Sequence, residues 1–150
     1  MNIHTQQINS DVFKSKKINL FIKRIDLIHP FVSGNKYYKL KYNFTELLKQ
    51  KKDKILTFGG AYSNHISATS YYAKKNNIKS IGIIRGEKQL KLNHTLTFAQ
   101  SQGMKLHYVS REDYRHKHKL YFINKLKKKF GDFYLLPEGG SNILAVKGSK

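Results

Sequence analysis

Between Ile55 and Leu136, short apolar runs alternate with longer stretches of helical spacing. Ile55–Phe58, Ser80–Ile84, Leu106–Val109 and Phe133–Leu136 read as strands. Asn64–Asn76, Asn93–Gln102 and one long amphipathic segment, Arg111–Phe130, read as the intervening helices. Strands too far apart for hairpins, each followed by a helix, predict parallel pairing through right-handed crossovers. The expected fold class is therefore α/β, a three-layer sandwich around a four-stranded parallel sheet. Ligands of such sheets bind beyond the carboxyl ends of the strands. The first strand ends in Gly59-Gly60 and the fourth in Pro137-Glu138-Gly139-Gly140, so both glycine pairs fall on that edge.

Outside this block the pattern weakens. Leu20–Ile25 is strand-like, and Tyr38–Gln50 has helical spacing with Leu40, Phe44, Leu47 and Leu48 on one face. Ile143 opens a further helix that reaches Lys150 within two turns. Residues 45–140 are expected to form a complete small domain. Residues 1–44 and 141–150 are expected to be pieces of a larger one, the last of them truncated.

Charge is the other unusual feature. Twenty-nine Lys and Arg stand against nine Asp and Glu, a formal net charge of +20. Such a field attracts polyanions. Only four of the basic residues are Arg, however, and base-reading proteins rely on Arg. The charge is read as a solvated basic surface, and nucleic acid is not the expected partner. The Lys clusters at 49–54 and 127–129 sit beside predicted helix ends, where cations complement the helix dipole. Cysteine is absent, which excludes disulfides, thiolate metal sites and cysteine nucleophiles. No segment has the form of a signal peptide or a spanning helix, and a cytoplasmic location without membrane contact is expected.

Three clusters carry potential chemistry. In Ser33-Gly34-Asn35-Lys36, the lysine stands at a helix start; it is either one of 25 lysines at an ordinary helix end or a site where partial positive charge favours a neutral amine able to act as a nucleophile. In Gly59-Gly60-Ala61-Tyr62-Ser63-Asn64-His65, a strand runs through two glycines and a polar cap into a helix of small residues. This is the general form of an anion or cofactor cradle, and equally of a plain strand-to-helix turn. Leu136-Pro137-Glu138-Gly139-Gly140-Ser141-Asn142 repeats that logic at the fourth strand. His116 and His118, two apart on a predicted helix, point to different faces and make no metal pair. His29 and His94 read as structural, and no metal site is expected.

Taken together and in order, these words resemble the 1-aminocyclopropane-1-carboxylate deaminase and D-cysteine desulfhydrase family of fold-type-II pyridoxal-phosphate enzymes. Lys23-Arg24-Ile25-Asp26-Leu27, Lys39-Leu40 and Arg85-Gly86-Glu87 complete the match, which covers nearly everything past residue 18. The resemblance implies the small domain of that fold plus an incomplete part of the larger domain. It implies that Lys36 is the Schiff-base lysine for pyridoxal 5'-phosphate and that Asn64 hydrogen-bonds the cofactor's phenolic oxygen. Ser63 would stand near the substrate carboxylate or the reacting carbon. Asn35, Gly60, His65, Gly140, Ser141 and Asn142 would shape the cleft. The implied substrate is a small amino acid, with either D-cysteine elimination to pyruvate, sulfide and ammonia or ring opening of 1-aminocyclopropane-1-carboxylate. A homodimer is implied for the full-length protein.

Tyr38 stands where the family often has Arg. Family chains are also much longer, and the phosphate-binding loop and the partner of the pyridine nitrogen lie in their later half. The chain is therefore expected to be a fragment without activity of its own. The competing readings are a basic nucleic-acid-binding module, drawing on the charge and interleaved Tyr and Phe, and a catalytically dead remnant of the family.

Overall fold

The computed structural model describes residues 3–88 and 90–149, so Met1, Asn2 and Lys150, at the outer ends of the expected first and third segments, lie outside the described residues. Thr5–Ile8 (β1) and Leu20–Lys23 (β2) form an antiparallel hairpin around the short helix Asp11–Ser15 (α1). After a 3₁₀ turn at Ile25–Leu27 comes Asn35–Lys49 (α2). The central block follows as Lys54–Gly59 (β3), Asn64–Lys75 (α3), Lys79–Arg85 (β4), His94–Ser101 (α4) and Lys105–Val109 (β5). Arg111–Arg115 (α5), Leu120–Phe130 (α6), Tyr134–Leu135 (β6) and Ile143–Ser149 (α7) complete the order.

The sheet order is β5-β4-β3-β6 with every pairing parallel, which is the expected α/β class. Strand periodicity sorts the core. Leu56, Phe58, Ile81 and Ile83 face α5 and α6, packing on Tyr114, Phe122, Ile123, Leu126 and Phe130. The alternate positions face the other layer, where Ile55 meets Leu40, Phe44 and Leu47 of α2, and Ile84 meets Ile66, Leu96 and Ala99 of α3 and α4. Each such fully buried Leu, Ile or Phe contributes about 1.5–3 kcal/mol.

Four expectations need correction. The long helix over Arg111–Phe130 is broken: α5 stops at Arg115 and α6 starts at Leu120, with a turn closed by Lys119 N–H donating to the His116 carbonyl at 2.8 Å. Helical apolar spacing begins only at Leu120, and Tyr114 is the one buried side chain of α5. His116 and His118 lie in this break and not on a helix. Leu48 is 52% exposed, because it lies about 100° round the helix from Leu47. Its expected place on the buried stripe is taken by Asn43. The strand-like run from Leu20 divides into β2 and the 3₁₀ turn. The expected division at residues 44 and 45 falls inside α2. Among the described residues, no helix is long and apolar enough to cross a membrane.

Candidate active site

Lys36 owes its position to the loop before it. His29 Nδ1 accepts the backbone N–H groups of Phe31 (3.1 Å) and Val32 (3.2 Å), which folds the loop around the imidazole. Phe31 then stacks on Phe98 of α4 at 5.3 Å and leans on Tyr71 of α3 at 5.0 Å, while Val32 is buried. His29 is thus structural, as its isolation in the sequence indicates. Gly34 turns the chain into α2 with φ 61° and ψ −145°, a region almost confined to glycine. Its N–H donates to the Ile25 carbonyl at 2.9 Å.

The second wall is the turn from β3 into α3. A Cβ at Gly59 would lie 2.5 Å from Ile66 Cγ1 and 2.8 Å from Ser63 Oγ, so only glycine lets the helix start this close to the strand. Ser63 is the N-cap of α3, its Oγ accepting the Ile66 N–H at 3.4 Å. The two walls enclose a cleft of about 520 Å³. Ser33, Asn35, Lys36, Asn64 and Ser67 supply polar groups, joined from the start of α4 by His94 and Thr95, and Phe31, Ala68 and Phe98 supply apolar surface.

Lys36 is partly buried, and its amine is shifted below the ordinary lysine range, first by desolvation and second by the nearby Lys39 charge. The shift has the direction that the helix-start argument expects, with burial as its main cause. The Asn64 side chain makes no hydrogen bond within the described residues, so both ends of its amide are available at the cleft.

His65 sits behind this surface, 2% exposed. Its Nε2 lies 2.8 Å from Thr57 Oγ1, and that hydroxyl is 2.9 Å from the Leu136 carbonyl. Burial, then the charges of Lys36 and Lys39, hold its pKa down to about 3, so the ring is neutral at physiological pH.

The remaining expected site residues do not line the cleft. Ser63 caps α3, and Gly60 lies beside Arg85, whose guanidinium would be 3.8 Å from a Cβ there. Gly140 is wedged between Lys39 and the His65 ring. Ser141 Oγ accepts from Lys39 Nζ at 2.9 Å. Asn142 turns inward, donating to Asn43 Oδ1 at 2.7 Å and accepting the Ala145 N–H at 2.9 Å as a cap for α7. The structure therefore brings Asn35, Lys36 and Asn64 together and ties Ser141 and Asn142 to Lys39 and Asn43, one and two turns further along α2. Sequence reasoning missed Thr57 as the partner of His65. Its only signal is a polar residue within an otherwise apolar strand. Reasoning also missed Lys39, which touches both the Gly140 turn and Ser141.

No protein-family model matches the chain. It is 37% identical, over 133 residues, to a Thermotoga maritima protein provisionally named 1-aminocyclopropane-1-carboxylate deaminase, a match covering 87% of this chain and 42% of that protein. It is 34% identical, over 138 residues, to the mitochondrial bifunctional D-cysteine desulfhydrase/1-aminocyclopropane-1-carboxylate deaminase of Arabidopsis thaliana, covering 86% of this chain and 34% of the relative. Among solved structures, an ACC deaminase homologue superposes with a TM-score of 0.79 at 25% identity, over 99% of this chain and 45% of its own. A hydrogen sulfide-producing enzyme of Fusobacterium nucleatum shares the fold, with a TM-score of 0.63 at 16% identity over 89% of this chain and 43% of its own. The chain thus spans less than half the length of these relatives. Over the part that aligns, the chain is similar in sequence and fold to 1-aminocyclopropane-1-carboxylate deaminases and D-cysteine desulfhydrases.

Proposed function

We propose that this chain is the lysine-bearing part of a pyridoxal-phosphate enzyme that acts on a small amino acid, by elimination from D-cysteine or ring opening of 1-aminocyclopropane-1-carboxylate. The observation that carries the reading is the meeting of a partly buried, pKa-lowered Lys36 with the uncommitted Asn64 amide in one cleft. These residues fit the cofactor. A cleft of about 520 Å³ accommodates a substituted pyridine ring, within the usual range for small-molecule sites. Lys36 would hold the cofactor covalently through Nζ, and Asn64 would hydrogen-bond the ring oxygen beside the attachment point. When bound, pyridoxal phosphate supplies an electron sink for negative charge developing on the substrate.

The chain's own residues do the rest. Desolvation keeps a larger share of Lys36 unprotonated, so Nζ can attack a carbonyl carbon and later carry a proton. Asn64 orients by hydrogen bonding without contributing charge. His65, neutral and packed against the Gly140 turn, adds no competing cation to the site. In the complete protein, the segments on either side of the central sheet block would join the larger domain, which would supply the phosphate contacts.

The test is to mix the purified chain with pyridoxal phosphate, reduce with borohydride, digest, and locate phosphopyridoxyl-lysine by mass. Preferential labelling of Lys36 is expected, and Asn64→Ala should lower it at Lys36 alone. Labelling spread evenly over the 25 lysines and unchanged in Asn64→Ala would overturn the assignment.

A further inference from the structure

A larger cavity, of about 780 Å³, opens beyond the carboxyl ends of β4 and β5. It shares no lining residue with the Lys36 cleft; the Ala61-Tyr62 turn and Asn93 form its near wall. Arg85, Lys91 and Arg111 line it against a single carboxylate, Glu87. Among the described residues, none of these three cations forms an ion pair. Arg85 is nevertheless held in place, its guanidinium 5.8 Å from the centre of the Tyr114 ring and beside Gly60. α4 begins at this wall, and its positive end adds to the field. The floor is apolar, with Ala61, Tyr62 and Leu92 exposing surface over the almost fully buried Ile84 and Leu96. Tyr108 also lines the cavity, and its buried hydroxyl has no hydrogen-bond partner in the structure.

We propose that this cavity is a second ligand site, which takes a small molecule bearing a phosphate or carboxylate on an apolar or aromatic body. Uncompensated cations around a sheltered concavity concentrate field on an anion, more than cations on an open surface do. The apolar floor gives the body of the ligand a surface to cover, which a free inorganic ion would leave wet. The site lies on the same sheet edge as the Lys36 cleft but needs neither Lys36 nor a cofactor.

The test uses phenyl phosphate, benzoate and inorganic phosphate as probes at constant ionic strength, with binding followed by calorimetry and amide shift mapping. Saturable binding of phenyl phosphate or benzoate is expected, with shifts centred on Arg85, Tyr108 and Arg111. The tighter of the two identifies the anionic group. Lys91→Gln/Arg111→Gln should weaken it roughly fivefold. Lys127→Gln/Lys128→Gln, exposed on α6 and equal in charge loss, should leave it unchanged. Equal weakening by both pairs would make the effect a general property of the charged surface and overturn the site. So would shifts confined to the Lys36 cleft, absence of saturation, or inorganic phosphate binding as tightly as phenyl phosphate.

Discussion

The proton on Thr57 decides the state of His65. A hydroxyl has one hydrogen, and with Oγ1 directed at the Leu136 carbonyl it must accept from the imidazole. Nε2 therefore carries the ring proton, and Nδ1 keeps a lone pair that is buried without a partner. With the folded pKa near 3 and the ordinary value 6.5, the unfolded chain takes up a proton at His65 before the folded chain does. The stability this neutral ring confers is complete above about 6.5 and is lost as the pH falls toward 3. The loss is up to about 1.4 kcal/mol per pH unit in that window. Urea unfolding at pH 7, 6 and 5 should show this slope, and His65→Gln should flatten it. A slope the same in both proteins would place the titration elsewhere.

Asn43 ties three elements together. It is fully buried; its Nδ2 donates to the Lys39 carbonyl at 2.7 Å and to Asn142 Oδ1 at 3.2 Å. Its Oδ1 accepts from Tyr134 Oη at 2.9 Å and Asn142 Nδ2 at 2.7 Å. One side chain thus joins α2 to β6 and to the cap of α7. Asn43→Ala leaves several buried polar atoms without partners and should destabilise by about 2–4 kcal/mol. A double-mutant cycle with Asn142→Ala should show the two losses to be far from additive. Nothing in the sequence marks Asn43 out, since a polar residue on a helical stripe reads as an interruption. Asn142 belongs to a glycine-rich turn and therefore reads as a cleft residue, although its partner lies 99 residues earlier. The central strands were legible because both faces of β3 and β4 are covered, which demands continuous apolar runs. Of the β1–β2 hairpin only β2 was, as the apolar run from Leu20; β1 is largely exposed and carries no alternation. The Lys36 and Asn64 walls were legible because glycine and a polar cap mark each turn, but which polar groups face the cleft depends on packing between distant segments.

At the scale of the whole molecule, the +20 charge opposes compactness. Raising NaCl from 0.01 to 0.1 M shortens the screening length from about 30 to about 10 Å. That should raise the melting temperature by a few degrees, measurable by calorimetry. A fall would mean that the scattered surface ion pairs outweigh the repulsion. The order in which the parts of the cleft can come together also follows from the topology. Lys36 and Asn64 are both made early by a ribosome, and β3 and β4 can pair as soon as residue 85 has emerged. Thr57, however, waits for the Leu136 carbonyl, 79 residues later in the chain. At typical synthesis rates that gap lasts roughly 4–16 s. During it, the Thr57 hydroxyl is free to offer its proton to His65, and the imidazole can occupy either tautomer. The arrival of β6 therefore does more than add an edge strand: it selects the protonation pattern behind the cleft.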